Sequence, residues 1–178
     1  MRWAIMICVF MVGCAVDHGG HALDGLETTM YLHLRQAWSE HVDLPSPSAS
    51  CDESVTRGHL RIRYVPKSLW YGNNGGCIHP TGLVGCYNPE GDKQFISILV
   101  PDDWAGLYNI GRVGTIMHEM THFLDDCTDN LPQDSHVGPQ WDIVQPVRDA
   151  WWDRFGHMVD ENTLTSEQQQ VTITTQGE

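Results

Sequence analysis

Two histidines, His118 and His122, stand four residues apart, and Glu119 directly follows the first. On an α-helix that spacing is about 40° of rotation and ~6 Å of rise, so both imidazoles leave the same face. Two neutral imidazoles so placed can occupy adjacent corners of a zinc tetrahedron, about 2.0–2.1 Å from the ion. Glu119 points about 100° round the helix from His118, beside such an ion rather than onto it. From there a carboxylate can take a proton from water, which makes hydrolysis the implied chemistry. In a chain with 10 His, chance yields this arrangement in about 2–3% of cases. The bland alternative is a surface helix carrying two incidental histidines.

The segment His118-Glu119-Met120-Thr121-His122 is similar to the HExxH motif of the zincin metallopeptidases. A catalytic zinc takes a third protein ligand and leaves one position open. The metzincin pattern wants Gly and His three and six residues after the second His, where this chain has Asp125 and Thr128. The gluzincin pattern wants a later Glu, and none occurs between Met120 and Asp160. The chain instead carries Asp134-Ser135-His136-Val137-Gly138-Pro139-Gln140-Trp141. This resembles the HExxH…H(G)xx(W/F) layout of small SprT-like and minigluzincin domains, with Val137 inserted between His and Gly. The resemblance covers residues 95–155. It implies one Zn²⁺ ion held by His118, His122 and His136, Glu119 as general base, and a peptide or protein substrate laid along an edge strand. Asp125, Asp126 and Asp142 remain rival third ligands. One of Asp125, Asp126 and Asp134 is expected to orient a ligating imidazole from behind. Tyr87, Tyr108, Arg112 and His157 are unranked candidates for stabilising an oxyanion.

Around the motif the pattern predicts an α+β domain over 23–160. Leu23, Leu26, Met30, Leu34 and Trp38 recur at helical spacing, predicting an N-terminal helix over 23–42 that the Pro45–Ser48 run breaks. Leu60, Ile62 and Tyr64 alternate with Arg61 and Arg63, the period of a half-buried strand. Residues 71–93 read as loop or hairpin. The run Phe95–Val100 reads as a strand, expected at the edge of a short mixed or antiparallel sheet. Ile110, Val113, Met117, Met120 and Leu124 put the motif on a helix over 109–126. A C-terminal helix is predicted over 141–155, with Pro146 kinking it or lying in its first turn. Trp141, Trp151 and Trp152 are expected to build the core beneath it. Residues 161–178 read as a mobile polar tail, with VTITT as a candidate edge strand.

The N-terminus carries its own signal. Arg2 precedes an apolar run from Trp3 to Val12, too short to span a bilayer but of signal-peptide length. Met11-Val12-Gly13-Cys14 resembles a bacterial lipobox. The resemblance implies a signal at 1–13, a lipid anchor on Cys14 and a tether over 14–22. A cut near Ala15 with release of a soluble protein is the competing outcome. His18 and His21 flank Gly-Gly in that tether and read as solvated. Export suits the remaining Cys51, Cys77, Cys86 and Cys127, for which a local 77–86 bridge with 51–127 is the first-choice pairing. The net charge of −13, from 10 Lys+Arg and 23 Asp+Glu, repels phosphate backbones and argues against nucleic-acid binding. Besides an exported peptidase at the bacterial envelope, two readings stay open: a non-catalytic zinc-binding protein, and a structural surface lipoprotein.

Overall fold

The computed structural model describes residues 20–70, 83–102, 108–128 and 136–175, with backbone only from 160 onward. The elements run β1 (His21–Ala22), α1 (Gly25–Glu40), α2 (Ala49–Thr56), β2 (Leu60–Pro66), α3 (Lys67–Leu69), β3 (Gly85–Glu90), β4 (Lys93–Val100), α4 (Ile110–Cys127), α5 (Pro139–Asp142) and α6 (Val144–Thr175). The α+β expectation holds, with a four-stranded mixed sheet in the order β1-β2-β4-β3. The expected signal, Cys14, His18 and most of the tether lie outside the described residues. Among the described residues, no helix is long and apolar enough to cross a membrane.

The sheet corrects one expectation. The apolar run 95–100 is not an edge: β4 lies between β2, to which it is parallel, and β3, to which it is antiparallel. Its two faces explain the unbroken hydrophobicity. Ile96, Ile98 and Val100 enter the main core. Phe95 lies under the Arg63 guanidinium, 4.0 Å away, and Leu99 joins a smaller cluster with Val65 and Trp70. The edge beside the motif helix is β3, from the stretch read as loop or hairpin. It pairs with β4 through a two-residue turn, Gly91-Asp92, where Gly91 has φ +65°, a value the tight hairpin turn demands. Leu99 N–H donates to Val84 O. The antiparallel alternation then turns the backbone groups of Gly85, Tyr87 and Pro89 away from β4.

α4 is the central helix. Val113, Ile116, Met117, Met120, Phe123 and Leu124 are buried along it, packed on Met30, Leu34 and Trp38 of α1 and on Trp151 of α6. Trp151 is fully buried, with its indole N–H on Thr29 Oγ1 at 2.9 Å, and Trp152 packs at the core margin. Cys51 of α2 and Cys127 at the end of α4 form a disulfide, Cα–Cα 5.6 Å, one of the expected pairings. Cys86 is also half of a disulfide, but the expected partner, Cys77, lies outside the described residues. Pro146 sits in the first turn of α6, where its missing N–H costs nothing. The expected tail is helical through Thr175; no Gly or Pro interrupts 157–176, and Gln and Glu favour a helix.

The end of the expected tether is also tied down. His21 and Ala22 pair with Ile62 and Arg61, and His21, exposed as expected, is also hydrogen-bonded to Glu27. Glu27 is fully buried. It completes a capping box with Asp24 and accepts hydrogen bonds from His21 Nε2 (2.9 Å), Asp24 N–H (2.9 Å) and Tyr64 OH (2.6 Å). Burial pulls its carboxyl upward, but the bonds from His21, Tyr64 and Asp24 outweigh this and hold it below the usual Glu value. The same bond raises the pKa of His21. Linkage then gives two limbs. The Glu27 contribution is present above the unfolded value of 4.5 and is lost as pH falls through the lower folded value. The His21 contribution is present below 6.5 and is lost as pH rises through the higher folded value. Denaturant unfolding across pH should show both declines, and His21→Ala should abolish the alkaline one.

Candidate metal centre

The site begins at the N-terminus of α4. Asn109 accepts from Arg112 N–H at 2.8 Å, so the helix starts at Ile110, two turns before His118, and the motif falls in regular helix. The apolar stripe faces the core and leaves His118 and His122 toward the cleft. Their ring centroids are 5.2 Å apart. His136, just before α5, completes a triangle at 5.1 Å from His118 and 5.0 Å from His122. One ligand atom from each of the three lies within 4.8 Å of the others. The His118 and His136 Nε2 atoms are 3.1 Å apart, close to the ~3.3 Å that two nitrogens span at a tetrahedral zinc. Three imidazoles are a donor set suited to zinc and other late transition metals. Burial, then the nearby His136, pushes the His118 pKa down, which favours the neutral ligand form.

Trp141 of α5 is not beneath the C-terminal helix as expected. Its ring centroid lies 4.6 Å from His118, 4.9 Å from His122 and 5.0 Å from His136. The indole thus wedges all three imidazoles against α4. An aromatic five residues after His136 is visible in the sequence, but only the turn at Gly138, with φ +142°, brings it back onto the rings.

Glu119 is 5% exposed. Burial drives its carboxyl up to about 8, opposed by a hydrogen bond from the Tyr87 backbone N–H. That N–H is one of the groups β3 turns outward, so the edge strand itself seats Glu119. The approach is close: a Cβ on Gly85 would stand 2.7 Å from Thr115 Cγ2 and 2.8 Å from Glu119 Oε1.

The rival acids are placed elsewhere. Asp126 accepts from Tyr87 OH at 2.6 Å. Asp142 is exposed. Asp125 is 2% exposed, and among the described residues neither of its oxygens makes a well-formed hydrogen bond. Burial raises its carboxyl to about 6, and the Gln140 amide beside it pulls the other way. Asp125 and Gln140 therefore face each other between α4 and α5. Asp134 lies outside the described residues. Of the four oxyanion candidates, only Tyr87 lines the cleft, and its hydroxyl is engaged by Asp126. Tyr108 OH lies 2.7 Å from Tyr64 OH at the Glu27 network, Arg112 is half-buried near the same tyrosines, and His157 is exposed on α6.

The cleft has two lobes meeting at His118, Glu119 and His136. One is a cavity of about 570 Å³ toward the start of α4; the other, about 370 Å³, runs along β3 to Asn88 and Asp126. Fold and site together define an α+β domain with a three-histidine cluster and a buried carboxylate at an edge strand. Compared with known protein families, curated proteins and solved structures, the chain matches none.

Gly85→Ala should destabilise the fold by roughly 1–3 kcal/mol, the usual cost of forcing a methyl into a filled contact. Gly25→Ala, whose Cβ meets nothing within 4 Å, should be neutral or stabilising. Chemical denaturation of the two variants measures the difference.

Proposed function

We propose that this chain is a zinc-dependent metallopeptidase that hydrolyses peptide bonds. The observation that carries the reading is the convergence of His118, His122 and His136 to within 4.8 Å, beside the buried carboxylate of Glu119. The three imidazoles would hold one Zn²⁺. When bound, the ion would supply Lewis acidity, polarising the scissile carbonyl and acidifying a water. Glu119, in the ionised form that a neighbouring dication favours, takes the proton of the attacking water and passes it to the leaving amine. Trp141 keeps the imidazoles in place and covers one side of the cluster. The outward backbone groups of Gly85 and the outward carbonyl of Tyr87, whose N–H is held by Glu119, offer an extended substrate strand pairing along β3.

Metal analysis of tag-free protein should give one zinc per chain. Glu119→Gln should keep that zinc and lose about 10²–10⁴-fold in turnover of an unstructured protein substrate. His136→Ala should lose zinc affinity far more than Asp125→Ala or Asp142→Ala. No zinc after reconstitution, or full turnover by Glu119→Gln, would overturn the reading.

The same proposal places the enzyme outside the cytoplasm, anchored to the bacterial envelope through Cys14. That part rests on the N-terminal residues alone. Labelled palmitate should be incorporated in cells expressing the chain and not in cells expressing Cys14→Ala.

A further inference from the structure

We propose that Asp125 is a positioning residue of the metal centre: through Gln140 it fixes the seat of α5 on α4, and with it the third imidazole, His136. The inference rests on the metal centre of the reading above and not on its peptide chemistry. It starts from a buried group that the proposed reaction does not use. Asp125 is 2% exposed, and among the described residues neither carboxylate oxygen makes a well-formed hydrogen bond. It therefore does not orient an imidazole directly. A buried carboxylate in that state is costly, and native structures keep few such groups without a task.

Its place on the helix identifies the task. His118, His122 and Asp125 follow the spacing i, i+4, i+7, so Asp125 extends the stripe of the two histidines by one turn. Two consecutive residues of α5 meet that stripe. Trp141 packs on the two imidazoles, at 4.6 and 4.9 Å between ring centroids. Gln140, 1% exposed, sets its amide beside Asp125. Ring packing is weakly directional and would let α5 slide. An amide against a buried carboxylate is directional, and so defines one seat.

The other end of the amide is fixed as well. A Cβ on Gly138 would stand 2.3 Å from Gln140 Oε1 and 3.0 Å from Nε2. The amide is thus tucked against the Gly138 backbone, where φ of +142° also calls for glycine. Trp141 N–H donates to Gly138 O at 3.2 Å and closes the turn. Only Val137, 80% exposed, separates Gly138 from His136. His136 is itself exposed, so on this side the chain holds it from α5 and not by burial. The connection runs from Asp125 through Gln140 and Gly138 to the third ligand.

The test uses the full chain, with Co²⁺ alone as the probe. Affinity is read by chelator competition and coordination by the visible spectrum of the bound ion. Asp125→Leu and Gln140→Met should each weaken binding about tenfold, the usual effect of losing support behind a ligand, and the double variant should be no weaker than either. Asp125→Leu should also move the cobalt bands toward those of His136→Ala. Asp125→Asn, which can still meet the amide, should stay within about threefold of the unmodified chain. In a His136→Ala background, where the two helix imidazoles still hold the ion, Asp125→Leu should cost less than about twofold more, because the two changes act on one ligand. Should Asp125→Leu fail to fold, Gln140→Met carries the same cycle from the α5 side. A tenfold penalty that persists without His136 would overturn the proposal, as would Asp125→Asn proving as damaging as Asp125→Leu. No cobalt binding by the unmodified chain would overturn both this proposal and the metallopeptidase reading. Coupling between positions 125 and 136 in a chain that cleaves no peptide would sustain the proposal and sink the peptidase reading alone.

Discussion

Three imidazoles from two separate elements can converge only if the helix carrying two of them cannot turn or slide. A rotation of α4 by one residue would swing His118 and His122 by about 100° and disperse the cluster. Most of the fold acts against that rotation. Asn109 pins the first turn, the Cys51–Cys127 disulfide pins the last, and a continuous buried stripe from Val113 to Leu124 locks the register between. Glycines set the distances on the two flanks. Gly85 lets β3 reach Glu119, and Gly114 lets Arg148 of α6 lie across the helix. Trp141 then closes the fourth side by packing against all three rings, stacked on His136, tilted against His118 and edge-on to His122.

The two buried glutamates show what an environment does to one side chain type. Glu27 and Glu119 are both almost wholly withdrawn from solvent, so desolvation raises both. Glu27 meets an imidazole, a tyrosine hydroxyl and a backbone N–H, which together turn the balance downward. Glu119 has the Tyr87 N–H opposing its burial, and its carboxyl stays up, at about 8. Glu27 is thus a finished structural hub whose charge is fully answered within the chain. Glu119 is answered incompletely, on the side of the helix where three imidazoles offer their nitrogens to a common point. A cation there would complete for Glu119 what His21 and Tyr64 complete for Glu27.

Legibility in the sequence tracked locality. Helices α1 and α4 and strand β2 were readable because their apolar residues recur at one period over many residues. Helix α2 was not, because its eight residues carry only Cys51 and Val55 as sizeable apolar side chains, and its start rests on the Ser48 cap. Strand β3 was hidden by its Gly, Asn and Pro, and is a strand because β4 lies beside it. The edge assignment of 95–100 failed on information already present, since a run without polar alternation belongs to a strand covered on both faces. At the site, His118, Glu119 and His122 were legible from spacing alone. His136 needed a pattern that spans a loop. Trp141 stands in that same pattern, but its packing on the rings joins distant segments and could not be read from it; Gly85 acts through a contact of the same kind, and no local signal marks it as part of the site.

Gly85 joins the structural and the proposed chemical roles of β3. Its missing side chain seats Glu119 against the strand, and the same residue borders both lobes of the cleft. An extended peptide lying along β3 would meet the outward backbone of Gly85 between the two lobes. Any side chain at that position would collide with Glu119 and narrow the passage between the lobes at once. In the proposed peptidase, then, positioning of the base and access of the substrate are two consequences of one absent Cβ. A change at Gly85 cannot relieve one without damaging the other.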